Sequence, residues 1–308
     1  MKKYLLIALA VMFTAITVSA QDLGEATNTA QAANEALTSG NYAEALKGFE
    51  AALEMADLCG GEGLELAETC KGVIPTIMLA ISKDYIKESK YDDAVSYLSK
   101  TVVRAEELES IGVVEEAKAL IPQVYLQQGN KLLKAKQTAA AATAFTKSLE
   151  LDPTNGTTAL LLGMALEGTD AVKAEEAYLK AIKNGQEDNA KKRLSNMFLR
   201  QAQASLKANK LEDVIEFARK SNEYVPNGNA YKLAAGAAIK AKKSAQAIEY
   251  YEGYLNVTPN AKDADDINYT IGALSHQLGN TAKAKKYYSK VLNHPKYGPA
   301  VKPLIDKL

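Results

Sequence analysis

Tryptophan is absent from the sequence, and histidine and cysteine occur only twice each among 308 residues. A closed zinc site needs four such ligands close together, so metal centres are poorly supplied, and a framework of several disulfides is excluded. Proline is also scarce, at eight residues, which leaves long stretches free of a helix breaker. Charge of one sign is not in excess: 37 Lys+Arg face 37 Asp+Glu. Bulk attraction to nucleic acid or anionic lipid therefore cannot be the basis of function. After the first 20 residues no apolar run approaches the ~20 residues that a membrane-spanning helix requires. What remains is an ordinary globular composition, 47% hydrophobic and 24% charged, rich in the helix formers Ala and Lys. Length alone suggests about two domains.

Residues 1–20 form a tripartite segment. Lys2 and Lys3 precede an apolar run from Tyr4 to about Val18, and Val18-Ser19-Ala20 ends it with small residues. The run is shorter than a span and is interrupted by Thr14 and Thr17, so it reads as a cleaved secretory signal peptide and not as an anchor. Cleavage removes two lysines and no acid, which leaves the mature chain at −2. The expected location is a bacterial periplasm first, with an extracellular or cell-surface position second. In an oxidising compartment Cys59 and Cys70, eleven residues apart in CGGEGLELAETC, are expected to form one structural disulfide. The alternative, a redox pair, lacks the tight C-x-x-C near a βαβ unit that such chemistry uses.

The chain repeats itself. NYAEALKGFEAAL (41–53), KYDDAVSYLSKTV (90–102), QTAAAATAFTKSL (137–149), KSAQAIEYYEGYL (243–255) and NTAKAKKYYSKVL (280–292) share a small residue, a larger one four on and another three further. The triplets are Ala45/Phe49/Ala52, Ala94/Leu98/Thr101, Ala141/Phe145/Ser148, Ala174/Tyr178/Ala181, Val214/Ala218/Ser221, Ala247/Tyr251/Tyr254 and Ala284/Tyr288/Val291. That spacing puts all three on one helix face. An apolar-periodic stretch and a short break precede each triplet, so the unit is a helical hairpin. Pro153, Pro226 and Pro259 stop second helices.

This pattern resembles the tetratricopeptide repeat, whose period is 34 residues. The unit ending at Pro153 carries Tyr125, Gly129, Leu132, Ala141, Phe145, Ser148 and Pro153 at the family's pattern positions. The resemblance implies an all-α fold, a right-handed α-solenoid of about seven hairpins near 26–57, 75–105, 122–153, 155–187, 195–226, 228–259 and 265–296. Insertions are expected at 57–74, where the glycines suggest a flexible loop, and at 105–121, where the pattern suggests an extended helix. Residues 297–308 are expected to cap the last repeat, whose apolar face is otherwise exposed.

Catalytic signatures are missing. His276 and His294 have no visible partner, Gly60-Gly61-Glu62-Gly63 lacks the Lys and Ser/Thr of a phosphate loop, and Asp263, Asp265 and Asp266 lack the later Glu of a calcium loop. The aspartates read as helix N-terminal charges. No enzyme activity, cofactor or metal is expected. By the resemblance, first helices line a concave groove that receives partners. The groove positions carried over include Lys83, Lys87, Asn130, Lys134, Asn196, Gln203, Lys207, Lys232, Lys240 and Tyr269. The chaperone carboxylate clamp of some family members is not reproduced, because Gly236 follows Lys232 where Asn is needed and Leu126 precedes Asn130 where Lys is needed. The expectation is a noncatalytic interaction scaffold of the cell envelope that binds an extended or helical, acidic peptide segment. The competing expectation is a glycan-handling or enzyme-accessory module that uses tyrosines and insertion loops.

Overall fold

A computed structural model describes residues 20–308, so the leader expected at 1–20 lies almost wholly outside the described residues. The described residues are helical, without a strand. The helices are α1 Ala20–Thr38, α2 Tyr42–Leu58, α3 Leu64–Lys87, α4 Tyr91–Glu107, α5 Ile111–Lys134, α6 Thr138–Leu151, α7 Gly156–Leu166 and α8 Ala171–Lys183. They continue with α9 Glu187–Lys207, α10 Leu211–Tyr224, α11 Gly228–Lys240, α12 Ser244–Val257, α13 Ala264–Gln277, α14 Thr281–Lys290 and α15 Gly298–Ile305. None of the described helices is long and apolar enough to cross a membrane. Two compact units are distinguished: residues to Ala135 with Thr146–Pro153, and Lys136–Phe145 with Thr154–Leu308.

The joints between helices explain why the chain turns back so often. Gly40, Gly185 and Gly279 adopt positive φ at the second residue past a helix end, and Ser89, Glu109, Lys136, Asn209 and Lys242 do the same without being glycine. The next amide then reaches back five residues, as in Asn41 N–H to Ala36 O at 2.8 Å and Lys243 N–H to Ala238 O at 2.8 Å. These are Schellman closures, which satisfy carbonyls that the ending helix leaves unpaired. Pro153, Pro226 and Pro259 each stand two residues past the ends of α6, α10 and α12, where no helical N–H is missed.

Packing follows the triplets. The small residues Ala45, Ala94, Ala141, Ala174, Val214, Ala247 and Ala284 are all fully buried. An added methylene there would overpack the helix contact. Phe49, Leu98, Phe145, Tyr178 and Tyr288 are buried four residues on, while Tyr251 is only half-buried. Three of the third positions carry the small hydroxyl residues Ser and Thr, which burial would penalise if unpaired. Each finds a partner: Ser148 donates to Pro122 O at 2.8 Å, Ser221 to Ser195 O at 2.9 Å and Thr101 to Tyr97 O at 2.9 Å. At the C-terminal end Val301 of α15 is fully buried against Ala284, Tyr288 and Val291.

Two expectations are corrected. The segment expected to be a flexible loop, 57–74, is mostly helical. Only a short turn with one 3₁₀ segment, Gly60–Glu62, separates α2 from α3, and α3 runs on through the buried Pro75. The stretch expected to be an extended helix, 105–121, runs largely in α5, which begins at Ile111 and continues through Pro122. The helical pattern outweighs the one backbone bond each proline removes. The disulfide is not formed either: Cys59 and Cys70 are both free. Cys59 occupies the C-cap of α2, whereas Cys70 is fully buried in the core with Ala52, Ala56 and Ala67. Burial, helped by Asp57 and Glu50, pushes the Cys70 thiol up to about 11, so its reactive thiolate is suppressed.

Candidate functional site

First helices touch one another within each unit. In the first unit α3 contacts both α1 and α5, and in the second α9 contacts both α7 and α11. The residues expected to line a groove lie on α3, α5, α9 and α11, apart from Tyr269 on α13. Lys87, Lys134, Lys207 and Lys240 are the last residues of α3, α5, α9 and α11. A positive charge there is favoured by the negative end of the helix dipole, by about 0.3–1 kcal/mol. That gives these lysines a structural reason to exist beside any binding role.

The structure divides the lysines into two sets. Lys83 Nζ lies 2.7 Å from Glu116 on α5, Lys87 Nζ 2.6 Å from Asp84 one turn earlier, and Lys232 Nζ 2.6 Å from Asp263. Hydrogen bonding to Asp84 raises the Lys87 ammonium above its ordinary value. Hydrogen bonding to Asp263 does the same for Lys232. Asp263 in turn is held below the usual carboxylate range by its bonds from Lys232 and from the Tyr254 hydroxyl, the latter at 2.6 Å. The Lys232 ammonium also sits 5.2 Å from the centre of the Tyr254 ring. Lys134, Lys207 and Lys240 are exposed and make no hydrogen bond or ion pair. Asn196 and Gln203 are exposed on α9, and Asn130 is half-buried on α5, all without a hydrogen bond.

Tyr269 is not an open groove surface. Its ring stacks on Tyr297, with centroids 4.6 Å apart, and tilts against Tyr288 at 6.1 Å. It therefore serves the packing of α13 against the C-terminal segment. His276 stands edge-on to Tyr288 at 6.3 Å, and His294 lies 3.8 Å from Asp265. The three aspartates stand at the N-terminal end of α13, as expected of helix N-terminal charges. Asp263 occupies the N-cap of α13 but its side chain makes no capping bond, being turned to Lys232 and Tyr254. Asp266 accepts from Tyr297 and from Lys296, the latter at 3.3 Å.

The counter-charges Glu116 and Asp263 were not visible as groove partners in the sequence. Glu116 falls in the segment read as an insertion, and only the unbroken α5 brings it to Lys83. Among the described residues no group of three potential metal ligands exists. Chemically the first-helix layer offers scattered ammonium groups and amides, without a nucleophile positioned by a base.

Residues 126–189 match the family model described as tetratricopeptide repeat. No curated protein matches the chain. Among solved structures, PilF of Pseudomonas aeruginosa is 19% identical, with 56% of this chain and 75% of that one covered and a TM-score of 0.27. YrrB, described as a TPR protein with an unusual peptide-binding site, is 17% identical, with 65% and 97% covered and a TM-score of 0.31. A MamA protein is 19% identical, with 60% and 97% covered and a TM-score of 0.33.

Proposed function

Given that the chain carries tetratricopeptide repeats, we propose that it is a noncatalytic scaffold whose first-helix layer in the second unit receives an extended, acidic segment of another protein. The observation that supports this most is the pair of exposed ammonium groups without a counter-charge on that layer, Lys207 and Lys240. Exposed amides stand on the same layer, at Asn196 and Gln203 of α9. Amides hydrogen-bond a peptide backbone, while unpaired lysines attract carboxylates without first breaking an internal ion pair. The Lys2/Lys3 leader pattern supports an exported, cell-envelope setting.

Binding of fluorescent acidic peptides, followed by anisotropy at two salt concentrations, tests this reading. Reversing Lys207 and Lys240 to Glu should weaken binding at least about tenfold, since each charge-assisted bond is worth about 1.5–3 kcal/mol and surface screening reduces it. Reversing the paired Lys83 and Lys87 should change binding much less. Equal affinity for acidic and neutral peptides would refute the proposal.

A further inference from the structure

The balanced charge of the chain is unequally placed. Residues 20–58, which span α1 and α2, carry seven acids and the single lysine Lys47, a net of −6. Residues 281–308, which span α14 and α15, carry seven lysines and the single acid Asp306, a net of +6. One chain thus holds two surfaces of opposite sign.

The two surfaces also differ in cover. The last hairpin is closed by α15, whose Val301 is fully buried against Ala284, Tyr288 and Val291. The first hairpin instead presents a groove of about 470 Å³, lined by residues of α1 and α2 and of no other helix. Its floor is apolar and shallow, with Ala32, Gly48 and Ala51. A Cβ on Gly48 would come within 2.7 Å of the Ala33 Cβ, so the missing side chain lets α1 and α2 close beneath the groove. Glu25 and Glu44 are exposed on the rim beside Lys47. The Glu25 carboxylate has no hydrogen bond or ion pair, and that of Glu44 receives only the Asn41 amide at 2.6 Å. An apolar face left open on a terminal hairpin is where a further helix of a solenoid stacks.

We propose that this groove receives α15 of a second copy, so that copies join head to tail. The outward side of α15 matches it in size and in charge. Pro299, Ala300 and Pro303 are exposed there, three and four residues apart on one face, and are compact enough for a floor of alanines. Lys302 and Lys307 flank them, exposed and with no hydrogen bond or ion pair at the ammonium. They can meet Glu25 and Glu44 without first giving up a partner. Groove against groove would set −6 against −6, and cap against cap +6 against +6, and like charges across an interface cost affinity. Acidic groove against basic cap is the pairing that remains. Such a contact is heterologous, so each copy keeps one groove or one cap free, and the assembly grows into runs or closes into a ring.

Sedimentation velocity of the full chain, raised to about 1 mM, the weak end of specific affinity, tests the contact. The mass should rise with concentration at low salt and fall back toward one chain at high salt. Glu25→Lys with Glu44→Lys gives the groove the sign of the cap, and Lys302→Glu with Lys307→Glu gives the cap the sign of the groove. Each double variant alone should stay a single chain. An equal mixture of the two should reassemble, because the reversed groove then meets the reversed cap, and that rescue also shows that both are folded. Ala32→Trp fills the groove without changing its charge and should abolish association as well. The chain with Lys207 and Lys240 reversed should associate as the native chain does, so this contact and the binding of acidic segments fail separately. The proposal is overturned if the native chain stays single at every concentration, the result expected when a basic segment of another protein fills the groove. It is also overturned if any of the three variants associates undiminished by itself, or if the mixture does not reassemble.

Discussion

Replacing Tyr178 by alanine should destabilise the chain by about 3–5 kcal/mol, the range for emptying a buried aromatic site. Tyr178 is fully buried on α8, four residues after the fully buried Ala174. Its ring lies against Gly163 of α7, where a Cβ would come within 2.6 Å of it. The ring thus fills the space that glycine leaves between the two helices of one hairpin. Its hydroxyl donates to Glu167, which also receives Arg200. Tyr178→Phe keeps the ring and removes that bond, so its cost should be about 0.5–1.5 kcal/mol. Gly163→Ala presses on the same contact from the other side and should cost about 1–3 kcal/mol. Urea unfolding of the three variants reads these values. A Tyr178→Ala cost below that of Tyr178→Phe would mean that hydrogen bonding and not packing holds this hairpin.

Gly63→Ala is the second substitution expected to do large damage. A Cβ at Gly63 would collide with the carbonyl oxygen of Ala56, which is backbone and cannot swing aside. The joint between α2 and α3 would have to open, and the buried Ala56, Ala67 and Cys70 lie directly behind it. A cost of at least about 1–3 kcal/mol follows from overpacking alone. Gly61→Ala provides the contrast, because nothing lies within 4 Å of the added carbon and the backbone there is not left-handed. It should be neutral within about 0.5 kcal/mol. A flexible loop over 57–74 would make both substitutions harmless, so the pair separates that reading from the compact joint. Thermal or urea denaturation of the two variants is sufficient.

The repeat was legible because its signal is local. A small residue, a larger one four on and another three further occupy one face of a single helix, and the fully buried Ala45, Ala94, Ala174 and Ala284 show how little tertiary context that inference needed. Helix stops were legible for the same reason, since Pro153, Pro226 and Pro259 act on their own neighbourhood. Pro75 and Pro122 do not stop their helices. Both lie inside 24-residue helices, where packing of the helical face overrides one lost bond.

The candidate groove was less legible. Lys83 meets Glu116, and Lys232 meets Asp263, across 33 and 31 residues of chain. Such pairs are set by how hairpins dock, which periodicity within one helix does not encode. Tyr269 looked like a groove residue by register, yet Tyr297, from beyond the last repeat, covers its ring at 4.6 Å. Cys59 and Cys70 show the limit of compartment arguments. Two thiols eleven residues apart are near in sequence, but a helix end and a helix interior hold them apart in role, one at a cap and one in the core.

The account rests centrally on the first-helix layer as the surface that receives a partner. Hydrogen exchange of the full chain with and without the tightest-binding acidic peptide measures this most directly. Protection should gather at the C-terminal turns of α9 and α11, around Lys207 and Lys240, and vanish when those lysines are reversed. Protection confined to the second helices, or unchanged by the reversals, would contradict it.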